Sequence, residues 1–334
     1  NSLQSKKTLN RLFISSYDEQ LGEVISIAKT VPVLIKYRVG KKSYTKEIDS
    51  SDLELFEKIE NLKIDDWVPT FKLDEGYNTN QPIRSNGITH IHHFYHKRNL
   101  IILGRIYKYL KDDKHLLFWF TSQLINLSKL NRYRPEVSFP YNPLNGTLYI
   151  SSQVCESNVF DAYENKLNKI ETALKDVKHK NIGGVISATQ VNLANNSIDY
   201  IFTDPPFGSN IMYSDLNSLW EGWIKVKTNN KEEAIVNSVQ GKTLFEYQTL
   251  MNRSFKEYYR VLKPGKWITI EFSNTSAAVW NSIQNSLQGV GFIVANVSAL
   301  DKQQGSFKAV TTTTAVKQDL VITCYKPSDE LINK

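Results

Sequence analysis

Asp204, Pro205, Pro206 and Phe207 stand directly after the apolar run Ile198–Phe202. A short β-rich run that stops at an acid and two prolines reads as a buried strand leading into a rigid loop. Neither proline has an N–H, so the peptide units beside the acid cannot donate to a sheet ladder, while their carbonyls still accept. A carboxylate, a proline carbonyl and an aromatic face suit one task together. They can hold a planar ring that bears an exocyclic amino group: the oxygens accept from its N–H groups and the aromatic stacks on the ring. The same residues also suit a plain Asp-Pro-Pro turn at a strand end.

Two other clusters carry reactive or charged groups. His90, His92, His93 and His96 place four of the six histidines within seven residues. Histidine is a common metal ligand, but no cysteine or carboxylate accompanies them. On a strand, His90 and His92 would share one face with His93 on the other. They are expected to be polar, partly stacked residues ahead of a helix at Lys97, with no metal. Lys129, Arg132, Tyr133 and Arg134 form a basic patch with an interleaved aromatic. Such a patch suits phosphate contact and equally a solvated helix C-terminus. Arg84, Lys97 and Arg98 could extend it. Tyr213, just beyond the loop, could line the pocket for the ring, whereas Trp220 and Trp223 are expected in the core.

The elements that must position these groups follow from the pattern. Val31–Val39 and Lys42–Ile48 read as two strands around a tight Gly40-Lys41 turn. Ser50 or Ser51 should cap a helix through about Asn61. Residues 67–96 look irregular. Helices are expected over about 97–112 and 115–131, the second with a stripe of Leu116, Phe120, Leu124 and Leu127. Pro135, Pro140, Pro143 and Gly146 mark a loop before a long helix over roughly 156–176. From Ile182 onward, short strands alternate with helices. The strands are Gly184–Ser187, Ile198–Thr203, Lys266–Phe272, Phe292–Ala299 and Asp319–Tyr325; the helices span about 214–226, 244–262 and 276–289. Alternation of this kind means a parallel sheet wrapped by helices. The last two strands lack a crossover helix between them, so they should be antiparallel.

Composition narrows the class. The chain has 334 residues with 41% hydrophobic and 22% charged, which fits about two packed domains. No run of about 18 apolar residues and no signal-peptide pattern is present, and Cys155 and Cys324 lie too far apart for a disulfide framework or zinc site. A cytoplasmic protein with no membrane partner is expected. The net charge of +7 and pI near 9.1 are compatible with a polyanionic partner.

With its preceding strand, Asp204-Pro205-Pro206-Phe207 resembles the [DNS]-P-P-[YFW] signature of the amino-group DNA methyltransferases. Leu262-Lys263-Pro264-Gly265-Lys266 resembles the turn that leads into the fifth strand of that fold. The stretch from Gly208 to Trp220-Glu221, together with Gly305–Lys308 and Val316–Asp319, is similar to a bacterial family of large site-specific DNA methylases. Gly87–His90, Lys97–Leu100 and Phe118–Ser122 are similar to that family's middle portion. The resemblance implies an α/β fold: the C-terminal half of a Rossmann-like class I methyltransferase sheet with a final antiparallel hairpin. A mixed α+β and helical recognition region would precede it. The implied division is a small α+β module over 1–80, a helical DNA-recognition region over 81–180 and the catalytic domain over 181–327.

The resemblance also implies a chemistry. A methyl group passes directly from S-adenosylmethionine to the exocyclic amine of a base in DNA, adenine N6 being favoured, in a bacterial or archaeal restriction-modification setting. Asp204 and the Pro205 carbonyl would accept from the amino group, Pro206 would stiffen the loop, and Phe207 would stack on a flipped-out base. Thr203, Asp204, Phe272 and Asn274 would face the cofactor; Tyr213, Lys129, Arg132 and Arg134 would face DNA. RNA or protein-glutamine methylation, and a silent DNA-binding subunit, are the alternatives. The family's glycine-rich F-x-G-x-G cofactor loop has no match in the chain, since Gly183-Gly184 and Gly104 lack the spacing and context. A preceding segment or a partner chain is expected to supply it.

Overall fold

The computed structural model describes residues 11–134, 143–175, 177, 181–209, 211–273, 277–301 and 318–328. Two compact units emerge. The first comprises Asn1–Lys178 with Tyr213–Thr228, the second His179–Met212 with Asn229–Lys334.

The first unit begins with two antiparallel hairpins, β1 (Phe13–Asp18) with β2 (Glu23–Ala28) and β3 (Leu34–Val39) with β4 (Lys42–Glu47). The second is the expected one, and Gly40 supplies the positive φ of its two-residue turn. The first was not evident from sequence. Asp18 builds its turn, with Oδ1 accepting from the N–H groups of Gln20 at 2.9 Å and Leu21 at 3.1 Å.

Helix α1 (Ser50–Glu60) is capped by Asp49 rather than by Ser50 or Ser51. Asp49 and Asp52 form a reciprocal capping box, which satisfies two backbone donors where a serine cap would satisfy one. The expected irregular stretch contains α2 (Asn80–Asn86) and a 3-10 turn over Ile91–Phe94. Next come α3 (Lys97–Leu110), α4 (Lys114–Thr121) and α5 (Val159–Lys175). Helix α4 is shorter than its apolar stripe suggests: Leu124 and Leu127 are buried, but on turns rather than on a continued helix.

Helix α6 (Tyr213–Ile224) belongs to this unit although the catalytic stretch was expected to hold it. Burial decides the matter. Leu219 and Trp223 are fully buried among Phe94, Tyr107 and Phe120, and the Trp223 indole donates to the Tyr95 hydroxyl at 3.1 Å. Trp223 therefore matches its expected core role.

The second unit is mixed α/β. Its sheet has the order β5 (Ile198–Thr203), β6 (Leu262–Phe272), β8 (Gln318–Tyr325), β7 (Ile293–Asp301). β5 and β6 run parallel, whereas β8 is antiparallel to both β6 and β7, so the final hairpin has the expected direction. Helix α7 (Leu244–Val261) starts at a Thr243/Glu246 capping box, and α8 (Ala277–Val290) follows β6. Their apolar sides bury one sheet face: Tyr247, Met251, Phe255, Ile283 and Leu287 join Ile268, Ile270, Ile322 and Cys324 in one core.

The strand expected at Gly184–Ser187 does not form. Residues 181–187 have no regular structure, and Ile182 and Val185 are fully exposed. A strand is held by its ladder partner, and β5 has only β6 beside it among the described residues.

Candidate functional site

Asp204 follows the last residue of β5, and Thr203 pairs with Ile270 of the parallel β6. The two strands therefore end side by side, with Phe272 closing β6. The crevice at the carboxyl ends of parallel strands is the usual ligand position in open α/β sheets, because the strand-to-helix loops converge there.

The loop is held on several sides. Pro205 is buried, Pro206 and Phe207 are half-buried, and Asp204 is exposed. The Phe207 ring meets Phe272 edge-on, with centroids 5.4 Å apart and planes at 84°. Tyr247, fully buried on α7, donates its hydroxyl to the Pro206 carbonyl at 2.7 Å. Burial drives the Tyr247 phenol well above its ordinary pKa, so it remains a donor. Gly208 follows at φ +84° and accepts from the Val236 N–H at 3.3 Å. The chain thus presents an exposed carboxylate on a loop pinned by one aromatic contact and two hydrogen bonds.

Tyr247 is a site residue that sequence reasoning missed. The spacing Tyr247, Met251, Phe255 marks the buried stripe of α7. No sequence signal tells what its hydroxyl reaches.

The expected site residues divide between the units. Thr203, Asp204, Pro205, Pro206, Phe207 and Phe272 gather at one end of the second unit's sheet. Asn274, Gly305–Lys308 and residues 316–317 lie outside the described residues. Tyr213, Lys129, Arg132 and Arg134 belong to the first unit. There Tyr213 opens α6 and Arg134 is exposed. Lys129 differs from the solvated cation that the sequence suggests. Its ammonium donates to the His93 carbonyl at 2.9 Å, and burial pushes its pKa down to about 8. Arg98 is likewise engaged, in a two-pronged pair with Glu156 at 3.0 and 3.1 Å.

The histidines depart furthest from expectation. Residues 91–94 form a 3-10 turn, not a strand, so His92 and His93 converge instead of facing apart. Both Nε2 atoms reach Oδ2 of Asp18, at 2.8 and 2.7 Å, and all three side chains are buried. Burial works to raise the Asp18 carboxyl, but the hydrogen bonds from His93 and His92 outweigh it and hold the group at about 2. Burial, helped by His92, pushes His93 down to about 4. The missing carboxylate was present all along, more than 70 residues earlier.

Residues 198–333, from β5 onward, match the family model described as DNA methylase, of the N6/N4 class. The likeness to amino-group methyltransferases therefore holds over this segment. No curated protein matches the chain. Among solved structures, a Thermus thermophilus protein described as a DNA modification methylase, complexed with S-adenosyl-L-methionine, is 15% identical. The match covers 42% of this chain and 54% of that one, with a TM-score of 0.28. A Methanosarcina mazei S-adenosylmethionine-dependent methyltransferase is 13% identical over 49% of this chain and 79% of that one, with a TM-score of 0.27. The chain spans about half the length of the Thermus proteins it matches, 48% in another of their structures. Structural likenesses at this level carry no argument of their own.

Proposed function

We propose that the second unit is the base-side half of the active site of an S-adenosylmethionine-dependent DNA methyltransferase acting on an exocyclic amino group, adenine N6 in preference to cytosine N4. The observation that carries this reading is Asp204-Pro205-Pro206-Phe207 at the carboxyl end of β5, beside the end of parallel β6, inside the segment that matches the DNA methylase model. Asp204 accepts one N–H of the target amine and the Pro205 carbonyl accepts the other. This draws the nitrogen lone pair out of ring conjugation and aims it away from the loop. Phe207 stacks on a base flipped out of the duplex, whose amino group is otherwise engaged in pairing. Pro206, tied to Tyr247, stiffens the turn. Positioning of this kind supplies much of the rate in a two-substrate displacement.

The cofactor supplies the methyl group when bound. Thr203, Asp204 and Phe272 fit one side of it by their place at the strand ends, and Asn274 follows two residues after Phe272. The glycine-rich side is not among the 334 residues. Two features support its arrival from a preceding segment or a partner chain. β5 has a neighbour on one side only among the described residues. On the sheet face opposite the α7 and α8 core, Tyr200, Phe202 and Trp267 are 54%, 61% and 44% exposed. The open edge of β5 is a ready template for another strand, and the exposed aromatic face leaves room for the elements that would accompany it. Tyr213, Arg132 and Arg134 are proposed to contact DNA, in the setting of a bacterial or archaeal restriction-modification system.

The test is base-resolution sequencing of DNA from a methylation-deficient host that expresses the full-length gene. N6-methyladenine at a defined site, lost on Asp204→Ala, is expected. Methylation that persists in Asp204→Ala would overturn the assignment. Labelled methyl groups found in RNA or protein but not in DNA would move the substrate. The lack of a glycine-rich loop favours one other reading, a silent DNA-binding subunit, which predicts no S-adenosylmethionine binding even at full length.

A further inference from the structure

We infer that Asp18, His92 and His93 form a binding site for a divalent transition-metal ion of the Zn2+ class, independent of methyl transfer. One ligand atom from each residue lies within 4.8 Å of the others, and the side chains are only 4–7% exposed. The donor set is convergent. The Asp18 Oδ1 is taken by the backbone N–H groups of Gln20 and Leu21, so Oδ2 alone faces the imidazoles, as one carboxylate ligand. Two imidazole nitrogens with one carboxylate oxygen suit Zn2+ and its neighbours, whereas Mg2+ and Ca2+ prefer oxygen-only shells.

The present spacing is close to that of a loaded site. Bonds of about 2.0–2.2 Å in a tetrahedral arrangement place ligand atoms roughly 3.3 Å apart. The Nε2 to Oδ2 distances of 2.7 and 2.8 Å must therefore open by about half an ångström. Without an ion, each ring places its hydrogen on Nε2 and donates to Oδ2, while the Thr89 N–H donates to the His93 Nδ1 at 3.3 Å. Loading moves each ring hydrogen to Nδ1 and leaves both rings neutral. The His93 Nδ1–H then turns to the Thr89 hydroxyl oxygen at 3.4 Å, an outer-shell contact of the usual kind, while the Thr89 backbone N–H gives up Nδ1 as its acceptor and must shift away. The His92 Nδ1, buried with no hydrogen-bond partner in the structure, takes the other hydrogen.

His90 lies beside the three ligands, its ring centroid 5.3 Å from that of His93 and 5.9 Å from that of His92, but outside their cluster of ligand atoms. Its Nδ1 is paired to the Thr89 hydroxyl at 2.9 Å, so a water molecule would complete the fourth position. The role fits the architecture as well. A two-stranded hairpin such as β1–β2 is marginal alone, and its residues are mostly exposed. An ion shared between Asp18 and the 3-10 turn would fasten it to the rest of the unit.

The experiment uses the untagged full chain, stripped with chelator and titrated with Zn2+ and, as a spectroscopic stand-in, Co2+. One equivalent per chain, tetrahedral Co2+ visible bands and a Zn2+-dependent rise in melting temperature are expected. His92→Gln and Asp18→Asn should each weaken Zn2+ binding by more than about tenfold, while His115→Gln, remote from the cluster, should not. Should both site variants fail to fold, the wild-type Co2+ spectrum decides. Substoichiometric metal, octahedral Co2+ bands, or equal Zn2+ affinity in folded His92→Gln would overturn the site.

Discussion

Replacing Tyr247 by Phe removes one oxygen and nothing else from the core of the second unit. Its ring is fully buried and its hydroxyl ends 2.7 Å from the Pro206 carbonyl, two residues from Asp204. A hydrogen bond of this sort contributes about 1 kcal/mol net, rising to about 1–3 kcal/mol where the partner is left unsatisfied. Pro206 is only half-buried, so water can reach its carbonyl and the lower half of that range applies. The unit should lose about 1–1.5 kcal/mol, or roughly 3–6 °C in melting temperature.

The catalytic consequence should be larger than the stability loss. A displacement of about 1 Å in a positioning group can cost on the order of a hundredfold in rate, so a drop in kcat of roughly ten- to a hundredfold with little change in KM is expected. Urea unfolding, hydrogen exchange of the peptide over 204–209 and steady-state methylation by the full-length protein read the three effects. Tyr200→Phe is the control. Its hydroxyl makes an equally short bond, 2.7 Å to Thr269, but on an exposed face, where loss should cost less than about 0.5 kcal/mol. Wild-type exchange and kcat in Tyr247→Phe, or equal damage in Tyr200→Phe, would refute the pinning of the loop.

Asp204→Ala should keep the fold, since the side chain is exposed, and reduce methylation by more than about a hundredfold by analogy with other positioned groups; circular dichroism and radiolabel transfer check the pair. Gly87→Ala should destabilise the first unit by more than about 2 kcal/mol, because φ is +72° and an added Cβ would meet the Ser26 carbonyl oxygen at 2.1 Å; a melting curve reads it. His96 should make the first unit acid-sensitive. Burial, reinforced by Lys129 and Arg98 and opposed by Glu156, pushes it down to about 4, and its Nε2 is buried without a hydrogen-bond partner. The unfolded chain binds a proton below about 6.5 that the folded chain refuses until about 4, so stability falls as pH drops through that window, by at most about 3 kcal/mol. The urea midpoint of wild type minus that of His96→Gln, followed from pH 7 to pH 4, should shift accordingly; a flat difference would contradict it.

Much of the fold was legible because its signals are local. The β3–β4 turn at Gly40-Lys41, the position of β5 and the antiparallel final hairpin each depend on a few adjacent residues. β5, expected to be buried, instead leaves Tyr200 and Phe202 exposed, and the expected Pro264-Gly265 turn lies within β6, which starts at Leu262. Local periodicity sets strand, turn and connection length, and Asp204–Phe207 was found at its strand end for the same reason. The β1–β2 hairpin escaped notice because most of its residues are exposed and leave no alternation to read.

Sequence by itself thus placed the Asp204–Phe207 loop at a strand end, set the antiparallel direction of the final hairpin and showed no glycine-rich cofactor motif among the 334 residues. Tertiary structure alone decided the rest. It set Tyr247 against Pro206 across 41 residues, packed α6 into the first unit's core, and left 184–187 without a ladder partner. It also turned four histidines with no companion acid into a cluster with one. In a 3-10 turn successive side chains lie about 120° apart, against about 180° in a strand, so His92 and His93 can reach one acid, and the hairpin delivers Asp18 from 75 residues away. Proximity across such separations is fixed by burial and packing of whole elements, and no short window of sequence contains that information.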